Sequence, residues 1–514
     1  MQMPEIKRLF LAASAIILAL TAAPALADPW ARPGDLALRH DIQLLSDAGV
    51  LKSPVTAWPI PWATIAADLV SGPASDALAP DVLIARERLI RRLDRVRGLQ
   101  GLQPNARVGL RTDSFWLRNF EDTPRDGEEV RAGVSWMGDR FAARAQVSFV
   151  PDPTFETDRE WRADGSYLAG VFGNHILYAG ALDRWWGPSH DDTLILSSNA
   201  RPVGGLGLQR SVALPFEHRW LSWLGPWTYS LFWGFLESDR EVPDARLIAF
   251  RFGFRPLDDL EIGLTRTAQW CGQGRPCDAG ALWDLIVGDS NVSDREAAVD
   301  EDPGNQLAAV DFRWQSPFGN GPWAIYGQAT AEDEAGGFPS RYFGQAGFET
   351  WGRVDTRLFS GSWRAHFEYT NTLVHFWQEE PRYKTAYEHS FYQSGYRYYG
   401  RSLGAAADRD SQLFSLGLTL VDAEARSWNG LLRFAEINNQ GYGLETDFRH
   451  SVSPEELKLL GAQLSHRRTI SYRDLDLGAI GVGFGVQYSD NRITGESETD
   501  VQAFVQWTWD YSGL

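Results

Sequence analysis

The chain has 514 residues, 13% of them aromatic, with 22 tryptophans and a net charge of −18 at pH 7. This length allows more than one ordinary domain, or one large barrel with an appendage. The negative charge argues against nucleic acid as a partner, because phosphate contacts need a basic face. Almost every basic residue is arginine, since lysine occurs only at Lys7, Lys52, Lys384 and Lys458.

Residues 1–27 have the composition of a cleaved secretory signal. Lys7 and Arg8 precede an apolar stretch, residues 9–22, and small residues around Ala27 form a cleavage site. No later stretch approaches the ~20 consecutive apolar residues that a membrane-spanning helix needs. The sequence therefore predicts export without a helical membrane anchor.

Residues 28–104 have a helical period and are predicted to form a bundle. The first helix is expected within residues 35–48, and Pro61 and Pro80 are placed to open the second and third. Gly98 is a natural end for the third helix, which is covered with arginines. A small independent helical domain is the alternative that this pattern leaves open.

After residue 104 the apolar period changes to two, and the rest of the chain, residues 105–514, is predicted to be one domain. Phe250 and Phe252 lie on the face opposite Arg251, and residues 501–511 end the chain with the same alternation. Arginine behind phenylalanine suits a barrel whose apolar face meets lipid and whose polar face lines a wet lumen. We predict a mainly β fold, a large antiparallel transmembrane β-barrel of about 16 to 18 strands.

Two smaller patterns have structural interpretations. Gly481, Gly483 and Gly485 alternate along one predicted strand, and we expect them to leave room inside the barrel for a plug. Cys271 and Cys277 are close together in an exported chain, so a disulfide across a small turn is expected.

No sequence motif for catalysis, phosphate binding or metal binding occurs in the chain. The densest histidine group, His366, His375 and His389, lacks the spacing of metal ligands. We therefore predict no metal, no cofactor and no catalytic residues, and we expect that the protein is not an enzyme. Carboxylate-based glycoside cleavage stays open, because its two acids come together only in the fold.

Three segments resemble the Wzi-type family of capsule-assembly outer-membrane proteins. They are residues 38–69, residues 183–209 (DRWWGPSHDDTLILSSNARPVGGLGLQ) and residues 400–411. The resemblance implies a barrel of about 18 strands, closed outside by long loops and at the periplasmic end by the helical bundle of residues 28–104. It also implies a lectin-like outer-membrane protein that binds capsular or related polysaccharide and helps attach or organise it at the cell surface. The final residues, 512–514, depart from the aromatic end of many such barrels.

The helical bundle is expected to dock on the periplasmic mouth through charge. Arginines between Arg86 and Arg95 cover its third helix, and we expect them to face lumen acids such as Asp113, Asp311 and Glu368.

Two segments carry the mix of aromatic and charged side chains that binds sugars. The candidate residues are Asp183, Arg184, Trp185 and Trp186 in one segment and Tyr396, Arg397, Tyr398, Tyr399 and Arg401 in the other. For the first segment the alternative is packing, with the tryptophans in a girdle or plug and the charges in a lumen ion pair. The expected partners are a surface polysaccharide (capsule, O-antigen or exopolysaccharide) and outer-membrane lipid, and a monomer is expected. A porin or substrate-specific channel is the second hypothesis, and an outer-membrane hydrolase is the third.

Overall fold

The computed structural model of the chain describes residues 29–98, 101–112, 117–287, 304–319, 321–335, 338–357, 359–439, 450–473 and 475–510. The predicted signal, residues 1–27, and Asp113 lie outside these ranges. Within them, none of the helices combines the length and apolar character needed to cross a membrane.

The chain forms a closed antiparallel barrel of 18 strands, as predicted. In chain order, β1 to β18 are Gly101–Arg111, Glu128–Met137, Phe141–Phe149, Tyr167–Phe172, His175–Ala181, Gly204–Arg210, Trp227–Phe235, Arg246–Leu257, Leu260–Trp270, Gly304–Gln315, Trp323–Ala335, Phe338–Asp355, Ser360–Asn371, Gln412–Asp422, Ser427–Ile437, Leu457–Tyr472, Leu475–Asn491 and Ser497–Asp510. The short piece Trp161–Arg162 pairs with β3, as β4 does, so the two form one interrupted strand. The barrel closes where β18 pairs with β1.

The alternation in the sequence matches the two faces of the barrel wall. Phe250 points outward and is 42% exposed, whereas its neighbour Arg251 is buried in the lumen. Arg251 forms an ion pair with Asp311 of β10 at 2.6 Å. In the last strand, Val501 and Val505 are exposed, as expected for residues that face lipid. The lumen is therefore lined with paired charges behind an apolar outer wall.

Three helices precede the barrel: α1 (Leu36–Asp47), α2 (Trp62–Ser71) and α3 (Pro80–Gly98). The side chain of Asp35 caps α1 by accepting a hydrogen bond from the backbone N–H of Leu38 at 2.9 Å. Every residue of α1 from position 37 to position 46 is buried, although the helix has only one apolar stripe. Because its polar side is also buried, α1 must lie inside the barrel mouth rather than on a separate domain.

The helical segment contacts the barrel wall through an apolar cluster, in which Trp30 packs on Tyr167 and Tyr178, and through polar groups. Asp47, at the end of α1, pairs with Arg313 at 2.7 Å and with Arg364 at 2.6 Å. Glu261 of β9 accepts hydrogen bonds from the backbone N–H groups of Val55 and Thr56, each at 2.9 Å. These bonds fix the segment between α1 and α2 against the wall.

The arginines of α3 do not meet the lumen acids that the sequence suggested. Arg88 pairs with Asp41 of α1, and Arg92 pairs with Asp35 at 2.8 Å. Two of the expected partners, Asp311 and Glu368, bind other groups: Asp311 pairs with a wall arginine, and Glu368 accepts the hydroxyl of Tyr326 at 2.7 Å. These arginines thus hold the bundle together, and Arg88 also docks it on the wall by donating to the carbonyl oxygen of Asp422 in β14 at 2.7 Å.

The predicted boundary between helices and barrel was a few residues late. Strand β1 begins at Gly101, so the helical segment ends before residue 104. Pro104 lies inside the strand opposite Val134, near its start, where a missing N–H is tolerated. Pro104 therefore lies within a strand and does not mark the boundary between the helices and the barrel.

Smaller elements occupy the loops and the barrel interior. Short strand pairs join Trp30–Ala31 to Ile60–Pro61, Ala57–Trp58 to Trp185–Trp186, and Arg397–Tyr398 to Arg401–Ser402. Helix α4 is Ala279–Val287, and single turns of 3-10 helix cover Ser75–Ala77 and Ser222–Leu224. Cys271 and Cys277 form a disulfide in the segment that precedes α4.

Two of the three glycines of β17 that were expected to leave room for a plug, Gly481 and Gly483, are covered by side chains of the neighbouring strand instead. The ring of Phe504, in the neighbouring strand β18, lies over Gly483, and the side chain of Gln506 lies over Gly481. A side chain at Gly483 would overlap that ring. The space above these glycines is thus filled by the barrel wall itself.

Candidate functional site

Two long loops fold into the barrel at the end opposite the helices and pack against each other. We call residues 182–203 the motif loop and residues 372–411 the tyrosine loop. The hydroxyl of Tyr387 donates to the carbonyl oxygen of Leu194 at 2.6 Å, and the rings of Tyr387 and Tyr396 stack with centroids 6.0 Å apart. The loops therefore form one packed cap over the lumen.

The tryptophans of the first candidate segment are core residues. Trp185 and Trp186 are each 1% exposed, and they pair as a short strand with Ala57–Trp58 of the helical segment. The indole N–H of Trp185 donates to the carbonyl oxygen of Ser189 at 3.0 Å. Arg39 of α1 donates to the same carbonyl at 2.6 Å. The segment thus joins the helices to the cap.

Arg184 and Asp183 do not pair with each other, as the packing alternative supposed, but with other residues. The Arg184 guanidinium donates to the hydroxyl of Tyr178 at 3.0 Å and lies 3.5 Å from the ring centroid of Phe232. Asp183 pairs with Arg125 at 2.6 Å and is the more exposed of the two. Both residues therefore have structural partners inside the barrel.

The centre of the motif loop is bound by polar groups of the lumen wall. Glu368 accepts hydrogen bonds from the backbone N–H groups of His190 and Asp191. Arg433 of β15 forms a two-point ion pair with Asp191. Such bonds compensate for burying backbone and charge away from water.

Asp192 is a buried acid that forms no ion pair within the part of the chain that the structure describes. Burial raises the pKa of its carboxyl to about 8; the nearby Asp191 adds to the rise, and hydrogen bonds from the backbone of Ala406 and Thr193 oppose it. Its Oδ2 atom has no hydrogen-bond partner within the described part of the chain. Asp192 therefore holds the two loops together largely as a neutral acid near neutral pH.

The tyrosine loop is supported from beneath by a compact cluster of ion pairs. Arg397 pairs with Asp408 and with Glu388, both at 2.8 Å, and Arg409 pairs with the same glutamate at 2.9 Å. Burial raises the pKa of the Asp408 carboxyl, but Arg397 and nearby His450 outweigh it and hold that pKa well below its usual value. The cluster is almost completely buried, so it supports the tyrosine loop and is not itself part of the protein surface.

Above this cluster the chain makes a tight hairpin, residues 397–402. Its turn is formed by Tyr399 and Gly400, with φ angles of 46° and 78°. Two successive positive φ angles are typical of the type I′ turn, which glycine accepts readily and tyrosine does not. The rings of Tyr398 and Tyr399 meet edge to face with centroids 4.6 Å apart. Tyr398 stays partly exposed at the surface of the cap.

Positive φ angles recur along the tyrosine loop. Besides Tyr399, they occur at His375, Lys384, Tyr387, Asp408 and Asp410, all of them residues other than glycine. Such conformations persist only where surrounding contacts impose them, and they cluster at functional sites. The loop is therefore a fixed platform rather than a free connection.

Two residues that the sequence did not single out lie at the surface around the hairpin. The guanidinium of Arg159, which is exposed, lies 6.0 Å from the ring centroid of Tyr399, and Phe155 packs under Gly400. The buried Arg201 supports the same ring from 4.8 Å and pairs with Asp164 at 2.9 Å. The signal for Arg159 and Phe155 was that residues 150–166 break the alternation while still carrying aromatic and arginine side chains.

The two candidate segments thus lie at different positions, although Arg125 contacts both of them. Arg125 pairs with Asp183 and accepts, through its carbonyl oxygen, a hydrogen bond from Arg401 at 3.1 Å. Of the nine candidates, only Asp183 and Tyr398 are partly exposed, and the other seven side chains are buried. Direct contact with a polysaccharide by those seven stays a prediction, and their positions favour a supporting role.

The described residues contain no group of histidine, cysteine, aspartate or glutamate that could hold a metal ion. The cap surface instead offers tyrosine rings, arginines and hydrogen-bonding groups. Rings provide flat apolar faces, and guanidinium groups provide planar sets of donors. This combination is suited to binding sugars, including acidic ones.

A closed barrel with an apolar outer wall, a lumen filled by its own chain and a cap of packed loops defines a plugged outer-membrane β-barrel. The family model for the capsule assembly protein Wzi matches residues 100–489, so the chain belongs to the Wzi capsule assembly family. Its place is accordingly the outer membrane.

Two known proteins illustrate the relationship. The chain is 29% identical over 429 residues to an uncharacterized 55.8 kDa protein in the cps region of Klebsiella pneumoniae, covering 82% of this chain and 80% of that one. The structure of Wzi from Escherichia coli, described as an outer-membrane protein involved in group 1 capsule assembly and a carbohydrate-binding β-barrel, matches with a TM-score of 0.77. It is 25% identical and covers 93% of this chain and 99% of its own.

Proposed function

We propose that this barrel binds a surface polysaccharide at its loop end and helps to attach or organise it at the cell surface, without cleaving it. The observation that carries the proposal is the 397–402 hairpin, which holds Tyr398 at the surface on a base of buried ion pairs. A rigid base lowers the entropy lost when a flexible polymer is bound. Membership of the capsule assembly family supports the same function.

The chemistry of the hairpin is suited to sugars. The partly exposed ring of Tyr398 can stack on an apolar sugar face, and Arg159, which is exposed beside Tyr399, can bind hydroxyl or carboxylate groups. A chain of net charge −18 repels acidic glycans at long range. That repulsion is screened beyond about 8–10 Å at physiological salt, so local arginines dominate on contact.

The orientation of the barrel is part of the proposal. Several turns at the helix end are short, such as those between Phe172 and His175 and between Leu257 and Leu260. The motif and tyrosine loops are at the other end. Outer-membrane barrels have short periplasmic turns and longer extracellular loops. We therefore propose that the helices close the periplasmic mouth and that the hairpin faces outward, in a monomer surrounded by outer-membrane lipid.

A retention experiment tests this function. Polysaccharide bound to cells and polysaccharide shed into the medium are measured in a strain that lacks the gene and is complemented with wild type or with Tyr398→Ala/Arg159→Ala. The double variant is expected to shed more polysaccharide at normal protein levels. Purified wild type should also retain its host's polysaccharide several-fold better than the variant. Tyr396 and Arg397 are unsuitable for this test, because both are buried in the cap.

The control is a matched pair at the other rim. Arg473 lies 5.2 Å from the ring centroid of Tyr472, so Tyr472→Ala/Arg473→Ala removes an exposed arginine and tyrosine far from the cap. It should leave retention unchanged. If wild type retains no polysaccharide and instead conducts ions, the protein is a channel and this proposal is wrong.

A further inference from the structure

A groove of about 480 Å³ runs down the outer wall of the barrel from its loop end, across β10 to β13. We call it the wall groove. Its floor is formed by small residues of two paired strands: Gly327 of β11 is opposite Ala346 of β12, and Ala329 is opposite Gly344. The wall is therefore locally hollow, whereas most of its outward positions carry large apolar side chains.

The tyrosine loop forms one side of the wall groove. Directly after β13 the loop turns back over the outer wall, where the backbone N–H of His375 donates to the carbonyl oxygen of Tyr342 at 2.8 Å. Phe376 packs edge to face on Tyr369, with ring centroids 6.3 Å apart. A carbon atom built on Gly344 would lie 3.7 Å from the Phe376 ring, an ordinary contact distance. The fold thus fixes a ring beside the floor and leaves the space next to it open.

The two ends of the wall groove differ in character. Tyr342, Tyr369 and Trp377 line it towards the loops, and Trp377 is 57% exposed. Tyrosine and tryptophan are typical of the level at which lipid headgroups meet hydrocarbon. Val310 and Phe312 line the groove further down and face outward. The groove therefore runs from the membrane interface into the hydrocarbon.

The length of the wall groove matches one leaflet of a membrane. Tyr342 at its upper end and Ala346 at its lower end are four residues apart on β12, which corresponds to about 14 Å along the strand. The hydrocarbon core of a bilayer is about 30 Å thick, so one leaflet accounts for about 15 Å. An acyl chain that descends from the interface would lie along the whole groove.

Shape is what can select a ligand at this position. Lipid tails surround the wall everywhere, so burial of apolar surface gives no preference for one place over another. Close van der Waals contact does give a preference. A chain in the wall groove would touch the floor, the Phe376 ring on one side and the Phe312 ring, which leans over Gly327, on the other. Because these side walls are already fixed, little order is lost on binding.

We propose that the wall groove is a lipid-binding site, which holds one acyl chain of a lipid in the leaflet at the loop end of the barrel. The groove is continuous with the lipid-facing wall, so the chain enters it sideways from the bilayer. Exposed side chains of both signs, Glu380 and Arg382, follow Trp377 in the loop, so the site recognises the chain and not the charge of the headgroup. It uses none of the hairpin residues and does not depend on polysaccharide binding.

Photo-crosslinking in proteoliposomes tests this site. Full-length protein is reconstituted in phosphatidylcholine that contains a small fraction of the same lipid with a diazirine in one acyl chain, and crosslinked peptides are quantified by mass spectrometry. In wild type, the peptides that contain Phe312 and Trp377 should carry several-fold more lipid than those of β2 and β3. Ala329→Leu/Ala346→Leu fills the groove and should reduce the labelling of these two unchanged peptides to the level of β2 and β3.

The control adds the same side chains to another part of the wall. Ala132 of β2 and Ala145 of β3 are also exposed, so Ala132→Leu/Ala145→Leu should leave the labelling of the wall groove unchanged. A second variant, Phe376→Ala/Trp377→Ala, removes one side of the groove without altering a strand and should lower the labelling of the Phe312 peptide. A heat-modifiable gel shift verifies that each variant folds.

Three results would overturn the proposal. They are uniform labelling of the wall in wild type, undiminished labelling in Ala329→Leu/Ala346→Leu, and a dimer in native mass spectrometry that this variant disrupts, which would assign the groove to a second copy of the chain. The proposed function fails separately. If wild type retains no polysaccharide on cells but shows the selective labelling, only the proposed function is wrong.

Discussion

Many charged side chains of this protein are buried, where an unpaired charge would be energetically unfavourable, and most of them form ion pairs. Arg397 has two carboxylate partners, and Asp47 has two arginine partners, all with little or no exposure. Such pairs are weak evidence for stability, but breaking one is costly because it leaves a charge buried alone. Their effect here is to fix the positions of loops and helices. Asp192 is the exception, since it forms no ion pair with any of the described residues.

The neutral state of Asp192 predicts a pH dependence. Its folded pKa, about 8, lies above its ordinary value of 3.8, so the protonated acid stabilises the fold. That stabilisation is complete below the ordinary pKa and is lost as pH rises through about 8. We expect the free energy of unfolding in urea to fall progressively between about pH 4 and about pH 8, to show no further loss from this group above about pH 9, and to fall less in Asp192→Asn.

The exposed acid Asp152 provides the control for this measurement. Asp152→Asn should keep the wild-type pH profile. If Asp192→Asn shows the same loss of stability with pH as wild type, the titrating group is elsewhere in the protein.

At the scale of strands, lumen-facing glycines recur beside large side chains of the neighbouring strand. In each of four cross-strand pairs, a side chain built on the glycine would overlap the neighbour's ring; the pairs are Gly207 with Tyr178, Gly347 with Tyr326, Gly417 with His366, and Gly483 with Phe504. The glycine lets the ring lie flat along the wall. This explains why rings and glycines alternate in the strands of a barrel whose lumen is crowded.

One of these pairs allows a direct test. The ring of Tyr326 cannot move easily, because it is buried and its hydroxyl donates to Glu368 at 2.7 Å. Gly347→Ala is therefore expected to destabilise the barrel by about 1–3 kcal/mol through overpacking. Gly430→Ala is the matched control, since nothing lies within 4 Å of the added atom. Urea unfolding would compare them, and equal stabilities would contradict the role assigned to Gly347.

At the scale of the whole molecule, the lumen is filled from both ends. Helix α1 enters from one end and the motif loop from the other, and they meet where Arg39 donates to the carbonyl oxygens of Pro188 and Ser189. Polar residues of the wall hold both, so the plug is part of the fold. A barrel filled in this way should conduct little.

Planar-bilayer recordings can test the plug. Wild type should be almost silent. Asp47→Ala should cause intermittent openings, because α1 loses the two ion pairs that Asp47 forms with the wall, while Arg313 and Arg364 keep Glu349 as a partner. Glu87→Ala, which removes a mostly exposed pair with Arg91, should stay silent. Steady conductance by wild type would contradict the plugged barrel and favour a channel.

The sequence by itself determined the barrel, because the chemistry of its two faces repeats in every strand. Phenylalanine alternates with arginine in these strands, as at Phe250 and Arg251. This alternation indicates a barrel whose outer face meets lipid and whose inner face lines a polar lumen. The start of α1 at Asp35 followed from local capping. Both are properties of neighbouring residues, so no knowledge of distant contacts was needed.

Only the tertiary structure decided which candidate residues are accessible. Trp185 and Tyr396 have the side chains of a sugar site, yet they are buried where α1, the wall and two loops meet. Tyr398 is partly exposed at the hairpin, and Arg159, from a loop far away in sequence, lies 6.0 Å from the ring centroid of the neighbouring Tyr399. The exposure of a side chain depends on how distant segments pack against it, and the local period of the sequence carries no information about that packing.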